Sequence, residues 1–171
     1  LSAITTAKMS GLPVAVLTTD QLKAFDAAHL SAFTPTQVAA LNKTQMSALA
    51  TDNSLIGPLN LTAVNIANVS TLANLSNDQI AKLTTAQIAG LSAAQIGTLT
   101  ADQAPALTAV QAGAFKAMNS FSATNLVPNL DPKFVAAIPG KTLNGMSATQ
   151  LGNLTDAQSM VLSSAQISSL T

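Results

Sequence analysis

The sequence contains no cysteine, tryptophan, tyrosine, arginine or glutamate. Without cysteine the chain can form no disulfide and offers no thiol nucleophile. Seven lysines and seven aspartates balance to zero net charge, and charged residues make up only 8% of the chain, against about 25% in ordinary soluble proteins. So few cations leave little to neutralise phosphates, which argues against a nucleic-acid partner.

Long apolar runs are also missing. Asn, Ser, Thr, Gln or Gly interrupts every uncharged stretch within a few residues, whereas a membrane-spanning helix needs about 20 predominantly apolar residues. Hydrophobic residues nevertheless make up 48% of the chain, too many for a disordered segment. The chain starts at Leu1 with no signal peptide in view, so we expect a processed product or a fragment of a longer protein.

What the chain has in abundance is an eight-residue repeat. In the segment LSNDQIAK LTTAQIAG LSAAQIGT LTADQAPA LTAVQAGA, which begins at Leu75, a leucine returns at every eighth place. Comparable runs begin at Leu1 and at Leu130, and all follow the pattern L-[ST]-x-x-Q-[ILV]-x-x. We number the places of this octad one to eight, starting from the leading residue.

Glutamine gives the sharpest test of the period. Each of the eleven glutamines falls at the fifth place of its octad, which random placement would not produce. The register slips near residues 50–74 and near 116–129, where Pro and Asn mark turns. We expect a single solenoid over residues 1–171 with irregular coils in those two stretches.

The second-place Ser or Thr and the fifth-place Gln form a capping-box pattern, in which each residue binds the backbone N–H of the other at a helix start. Such a cap stabilises a helix by about 1 kcal/mol relative to Ala. The clearest pairs are Thr84 with Gln87, Ser92 with Gln95, and Ser163 with Gln166. A fresh helix start every eight residues excludes one long helix, whose leucine stripe would also rotate into solvent.

The octad therefore predicts an all-α solenoid, a superhelix of short capped helices that are stable only when they stack on their neighbours. First- and sixth-place aliphatic residues should point inward. The predicted core comprises Leu17, Leu41, Leu75, Ile80, Leu83, Ile88, Leu91, Ile96, Leu99, Leu154, Leu162 and Ile167. A β-solenoid is the alternative fold, since Thr and Ile also suit strands.

No residue set predicts catalysis, and we expect no enzyme activity, no cofactor and no metal. His29, the one histidine, sits at the fifth place and is interpreted as a polar substitute for glutamine in the cap; a metal ligand would need partners that the chain lacks. The sequence has no G-x-S-x-G elbow, and its many serines are explained by capping. The aspartates lie mostly in exposed first turns, where they favour the helix dipole.

Two short segments, LTTDQL and FTPTQVAAL, resemble the first helix of the repeats of transcription-activator-like effectors. Those repeats are far longer than eight residues and carry a variable base-reading pair, which this chain lacks. Together with the zero net charge, this difference predicts no nucleic-acid partner.

The segment LTTAQIAGLSAAQIGTLTADQ resembles Ala/Thr/Gln octad arrays of large bacterial surface and exported proteins, such as adhesins and type I secretion substrates. That resemblance implies an extracellular or cell-surface location and a structural, non-catalytic role in a filament, layer or adhesin stalk. Partners would be further copies of the chain, associating through repeat faces or open ends, or flanking domains. The alternative is a module that binds glycan, peptide or ice through ladders of Thr and Ser.

Overall fold

The computed structural model describes residues 4–59, 66–69, 71–116 and 118–170. These residues form many short helices in tandem and contain no β-strand, so the predicted all-α repeat fold is confirmed and the β-solenoid alternative is wrong. None of the helices in these ranges is long and apolar enough to cross a lipid bilayer.

Most octads contribute one helix of one to two turns. The α-helices are α1 Thr19–Lys23, α2 Ala27–Ser31, α3 Pro35–Ala40, α4 Lys43–Leu49, α5 Asn53–Ile56, α6 Asn77–Lys82, α7 Thr85–Ala89, α8 Ala93–Ile96, α9 Ala109–Ala112, α10 Pro132–Ala137, α11 Gly140–Leu143, α12 Ala148–Gly152, α13 Asp156–Met160 and α14 Ser164–Ser168. Short 3-10 helices span Thr6–Gly11, Val14–Val16, Ile66–Asn68, Ala101–Ala106 and Val127–Asn129.

Several helices end where the leading residue of the next octad leaves the helical conformation, as at Leu41, Leu83 and Ile138. Leu83 follows α6 with φ −58° and ψ 129°, and its N–H donates to the Ile80 carbonyl to close the last turn. Thr84 then adopts φ −70° and ψ 158° as the N-cap of α7. Two successive extended residues turn the chain between helices, so the bend recurs with the octad.

The chain divides into two compact units, Leu1–Leu83 and Thr84–Thr171, hereafter unit 1 and unit 2. In unit 1, α1 packs against α4, while α2 packs against both the 3-10 helix Thr6–Gly11 and α5. Elements three octads apart in sequence are therefore neighbours in space, and one coil of the unit holds three octads. Its core includes Met9, Leu22, Leu30, Met46 and Leu49, each at most 1% exposed.

Unit 2 repeats this arrangement. Helix α7 packs against α9, α10 against α13, and α11 against α14, again three octads apart. Where the register slips, a cluster of three phenylalanines fills the interior. The ring centroids of Phe115 and Phe121 lie 5.0 Å apart, and those of Phe115 and Phe134 lie 5.8 Å apart. Edge-to-face pairs of this kind stabilise a core beyond their buried area.

The two irregular stretches differ in how much is described. Near residues 50–74 the structure places α5 and the 3-10 helix Ile66–Asn68, while the octad-like unit led by Leu61 lies outside the described residues. Near residues 116–129 it places turns and the 3-10 helix Val127–Asn129. The single solenoid over residues 1–171 stays a prediction.

Candidate functional site

The contact between successive coils is built around the fifth-place glutamines, and each of these begins in a capping box. The backbone N–H of Thr84 donates to Oε1 of Gln87 at 2.9 Å, and the backbone N–H of Gln87 donates to Thr84 Oγ1 at 3.2 Å. The same two bonds, also at 2.9 and 3.2 Å, join Ser92 with Gln95 and Ser163 with Gln166. All six residues named as caps from the sequence lie in capping boxes.

The side-chain nitrogen of these glutamines performs a second task. In unit 1, Nε2 of Gln45 donates to the carbonyl oxygens of Val14 at 2.9 Å and Leu17 at 2.8 Å, which lie 31 and 28 residues earlier. Comparable pairs, three residues apart, join Gln37 to Met9 and Leu12, Gln79 to Ile56 and Leu59, Gln150 to Met118 and Phe121, Gln158 to Val127 and Leu130, and Gln166 to Val135 and Ile138. One side chain thus caps its own helix and binds the backbone of the preceding coil.

This second task explains why the fifth place holds glutamine rather than glutamate. Either residue completes a capping box, but only the amide carries N–H donors, and a carboxylate would face two carbonyl oxygens. Sequence reasoning identified the cap and missed the donor. The signal was available, since eleven glutamines fill this place while the chain contains no glutamate.

Burial makes the amide contacts important for stability, because a buried polar group without a hydrogen-bond partner lowers the free energy of unfolding. Ten octad glutamines are buried: Gln37, Gln45, Gln79, Gln87, Gln95, Gln103, Gln111, Gln150, Gln158 and Gln166. Within the described ranges no buried side-chain nitrogen or oxygen lacks a hydrogen-bond partner. Gln21 is the exception to the burial: it forms a complete capping box with Thr18, yet its side chain is exposed.

The predicted core residues fall into three groups. Seven are buried, namely Leu41, Leu75, Ile80, Leu83, Ile88, Ile96 and Leu99. Four are half-buried, namely Leu17, Leu91, Leu154 and Leu162. The assignment of Ile167 to the core is wrong, since its side chain is 55% exposed. Helix α14 packs on α11, and no described element covers the opposite side of α14.

Ile167 belongs to a larger uncovered surface in unit 2. We call the octads over 147–170 the terminal coil; it comprises α12, α13 and α14. Its first-place residues Leu154 and Leu162 are half-buried, and its other exposed apolar side chains include Met160 at 85%. The stacked octads one coil earlier are closed, with Leu130 at 3% and Ile138 at 2%. Among the described residues, no further coil covers the octads of the terminal coil.

His29 occupies the fifth place of its octad and keeps part of the glutamine geometry. The backbone N–H of His29 donates to Oδ1 of the N-cap Asp26 at 3.0 Å. The ring places Nδ1 2.7 Å from Asp26 Oδ1 and Nε2 2.7 Å from the carbonyl oxygen of Ile4, 25 residues earlier. The imidazole thus spans a cap and a preceding backbone carbonyl, as the glutamines do.

Both ring nitrogens of His29 face acceptors, so both contacts are hydrogen bonds only when the ring is protonated. The Ile4 carbonyl raises the pKa of His29, and the Asp26 carboxylate raises it further. The backbone N–H of His29 and then its imidazole lower the pKa of Asp26. The contacts of this pair therefore depend on pH.

A shallow groove in unit 2 is lined by Pro105, Thr108, Asp131, Lys133 and Phe134, among others, and it brings together one aspartate and one lysine. In the part of the chain that the structure describes, no three His, Cys, Asp or Glu side chains are grouped as metal ligands. The surface that recurs most regularly among the described residues is the octad face through which one coil contacts the next.

Fold and interface together define a helical repeat protein whose coils are joined by glutamine amides. In agreement with this, residues 14–51 and 72–109 match the family model of the ALTTAQ repeat. Five of the six letters of that repeat name occur in the chain as LTTAQ at residues 83–87. A search of curated proteins and a search of solved structures gave no match to the chain.

Proposed function

We propose that the chain is a structural, non-catalytic module of a bacterial surface assembly that associates with further copies through its repeat faces. The repeated contact between coils, built from buried aliphatic side chains and glutamine amides, is the observation that carries the proposal. Octad side chains also reach the surface of unit 2, where Ile167 is 55% exposed beside the half-buried Leu154 and Leu162.

Repeat arrays pack each unit only against its neighbours, so an octad face of one copy can take the place of a neighbouring coil for another copy. Contacts between two different faces of identical chains do not close on themselves unless their rotation completes a ring, and they otherwise build filaments. The module therefore suits a filament, a layer or the stalk of an adhesin.

Composition supports the extracellular part of the proposal. The chain has no cysteine, and the octad segments resemble arrays of bacterial surface and exported proteins. With zero net charge, long-range repulsion between copies is small, and close packing meets no Coulombic barrier.

A glycan-, peptide- or ice-binding role is the less supported alternative. The hydroxyl groups of the second-place residues that would form a ladder are engaged in capping boxes, as with Thr84 and Ser92. The hydroxyls of Thr84 and Ser92 also lie 3.2 and 2.9 Å from the glutamine Oε1 atoms of their boxes. Little hydrogen-bonding capacity remains at that place for an external ligand.

Sedimentation velocity of the purified chain over a wide concentration range tests the proposal. We expect the mean sedimentation coefficient to rise with concentration and rod-like oligomers to appear in negative-stain images. Ile167→Asp should abolish association by placing a charge on the terminal coil.

The matched control is Val110→Asp, because Val110 is 77% exposed but lies outside the terminal coil. It should associate like the wild type. A wild-type chain that stays monomeric at every concentration contradicts the proposed function.

A further inference from the structure

We propose that Asn144 is a site of self-modification, at which the chain converts its own asparagine into aspartate and isoaspartate through a cyclic imide closed by the backbone nitrogen of Gly145. The chain has twelve asparagines, and Asn144 is the only one that a glycine follows. At the other eleven, the side chain of the next residue crowds the approach of the backbone nitrogen. Glycine has no Cβ and permits close approach of the backbone. The inference does not depend on the proposed function.

The reaction balances with water as the only other reactant. The backbone nitrogen of Gly145 loses its proton and attacks Cγ of Asn144, which closes the imide ring, and Nδ2 leaves with a proton as ammonia. Water then opens the ring at one of its two carbonyl carbons. Attack at Cγ gives aspartate, and attack at the main-chain carbonyl gives isoaspartate, in which the main chain runs through Cβ and Cγ. Either product has exchanged ammonia for water.

Both residues are exposed although their octad is covered. They end the octad IPGKTLNG over residues 138–145, and its helix α11 packs against α14. Leu143 before them and Met146 after them are buried, whereas Asn144 and Gly145 face water. Their exposure therefore belongs to the outer side of a stacked octad.

In the folded chain a turn holds the attacking nitrogen. The N–H of Gly145 donates to the Thr142 carbonyl at 3.1 Å, and the N–H of Met146 donates to the Leu143 carbonyl at 2.9 Å. Asn144 has the helical angles φ −60° and ψ −19°. Closure of the ring requires both a free Gly145 nitrogen and a rotated Asn144 backbone, so the turn must open first.

This octad lacks the devices that hold other octads closed. Its second place is Pro139 and its fifth place is Thr142, where the repeat has a hydroxyl residue and a glutamine. As the N-cap, Pro139 offers no side-chain hydrogen bond to α11, which spans only Gly140–Leu143. A helix so short and uncapped has little stability of its own. We therefore expect the turn to open locally without unfolding of the unit.

Isoaspartate at this position should weaken the contact between coils. It adds one carbon to the main chain between Leu143, which is fully buried, and Met146, which is 6% exposed. The turn cannot keep its hydrogen bond and both side chains in place at that length. Met146 leads directly into the capping box of Ser147 and Gln150, and Gln150 donates to carbonyls of the preceding coil.

Ageing of the folded chain in mildly alkaline buffer tests the site. Trypsin cleaves after Lys141, the last lysine of a chain without arginine, so residues 142–171 form one peptide that carries both Asn144 and Asn153. We expect mass spectrometry to find conversion at Asn144 about tenfold faster or more than at Asn153, which Leu154 follows. The rate should rise with pH, because the attacking nitrogen must lose its proton.

Asn144→Gln is the matched variant, because the longer side chain would have to close a larger and slower ring. This variant should show no conversion at residue 144, and ageing should leave its melting temperature unchanged. The aged wild type should melt at a lower temperature than the fresh protein. Equal rates at Asn144 and Asn153, or no conversion at either, would overturn the proposed site. Conversion at Asn144 with an unchanged melting temperature would overturn its effect on the coil contact.

Discussion

Two successive pairs of octads in unit 2, one pair stacked on the other, share a sequence pattern. They differ in how far their aliphatic side chains are buried. In residues 130–145 the first- and sixth-place residues Leu130, Val135, Ile138 and Leu143 are at most 3% exposed. In residues 154–169, one coil later, the first-place leucines are half-buried and Ile167 is 55% exposed. The difference shows that an octad does not determine its own burial. The next coil determines it.

The largest effect should come from replacing a covered glutamine by glutamate. Gln150 is 3% exposed and donates to the carbonyls of Met118 at 2.8 Å and Phe121 at 2.7 Å. Gln150→Glu buries a carboxylate against two acceptors, which should destabilise the fold by about 3 kcal/mol or more at neutral pH. The loss should shrink in acid, where a protonated carboxyl regains one donor.

Urea unfolding at neutral and acidic pH measures this effect, with Gln21→Glu as the matched control. Gln21 is exposed, so its replacement should leave the free energy of unfolding of the monomer nearly unchanged. Equal destabilisation by both variants would show that the amide contact to the preceding coil contributes nothing beyond the cap.

Leucine truncation at the sixth place sharpens the comparison between covered and open coils. Leu143 is fully buried, while Leu151, at the same place of the next octad, is half-buried. Leu143→Ala should cost about 2–5 kcal/mol, and Leu151→Ala less than about 1 kcal/mol. Thermal unfolding of the two variants under non-associating conditions gives both values, and similar losses would refute the role assigned to the covering coil.

Replacing a glycine by alanine should change the free energy of unfolding by a smaller amount, and the sign should differ between the two coils. A Cβ on Gly140 would stand 2.8 Å from Ser169 Oγ and 3.1 Å from its Cβ, whereas a Cβ on Gly152 would meet nothing within 4 Å. Gly140→Ala should therefore destabilise by about 1–3 kcal/mol through overpacking. Gly152→Ala should stabilise by about 0.5–1 kcal/mol through helix propensity. Calorimetric melting of both variants checks the signs.

The smallest effect concerns His29, which replaces glutamine at the fifth place. Because its folded pKa is raised, its contribution is complete below the unfolded value of about 6.5 and is lost as pH rises through the folded pKa. The melting temperature should therefore fall on going from mildly acidic to mildly alkaline pH. His29→Gln should flatten that profile, and an unchanged profile would show that the titration lies elsewhere.

The local part of this structure could be predicted from the sequence. A second-place hydroxyl and a fifth-place glutamine lie within one turn of each other, so Thr84, Ser92 and Ser163 could be assigned as caps from their spacing alone. The extended leading residue follows from the same repeat, because a cap every eight residues requires a helix end every eight residues.

The non-local part could not be predicted from the same pattern. Periodicity shows which side of an octad is apolar, but three octads per coil follows from how helices such as α1 and α4 meet in space. Ile167 was misassigned for that reason, since it has the right place in the octad and no coil to cover it. The amide donors could have been predicted from the sequence, because eleven glutamines fill the fifth place and the chain contains no glutamate.

The union of coils by neutral amides has a consequence for the medium in which the protein works. The ion pair of His29 with Asp26 joins a mostly buried imidazole to an exposed carboxylate, with side chains 13% and 67% exposed. Dissolved salt weakens attraction between charges, but this fold contains few such attractions. We therefore expect the fold to be about as stable in brine as in fresh water.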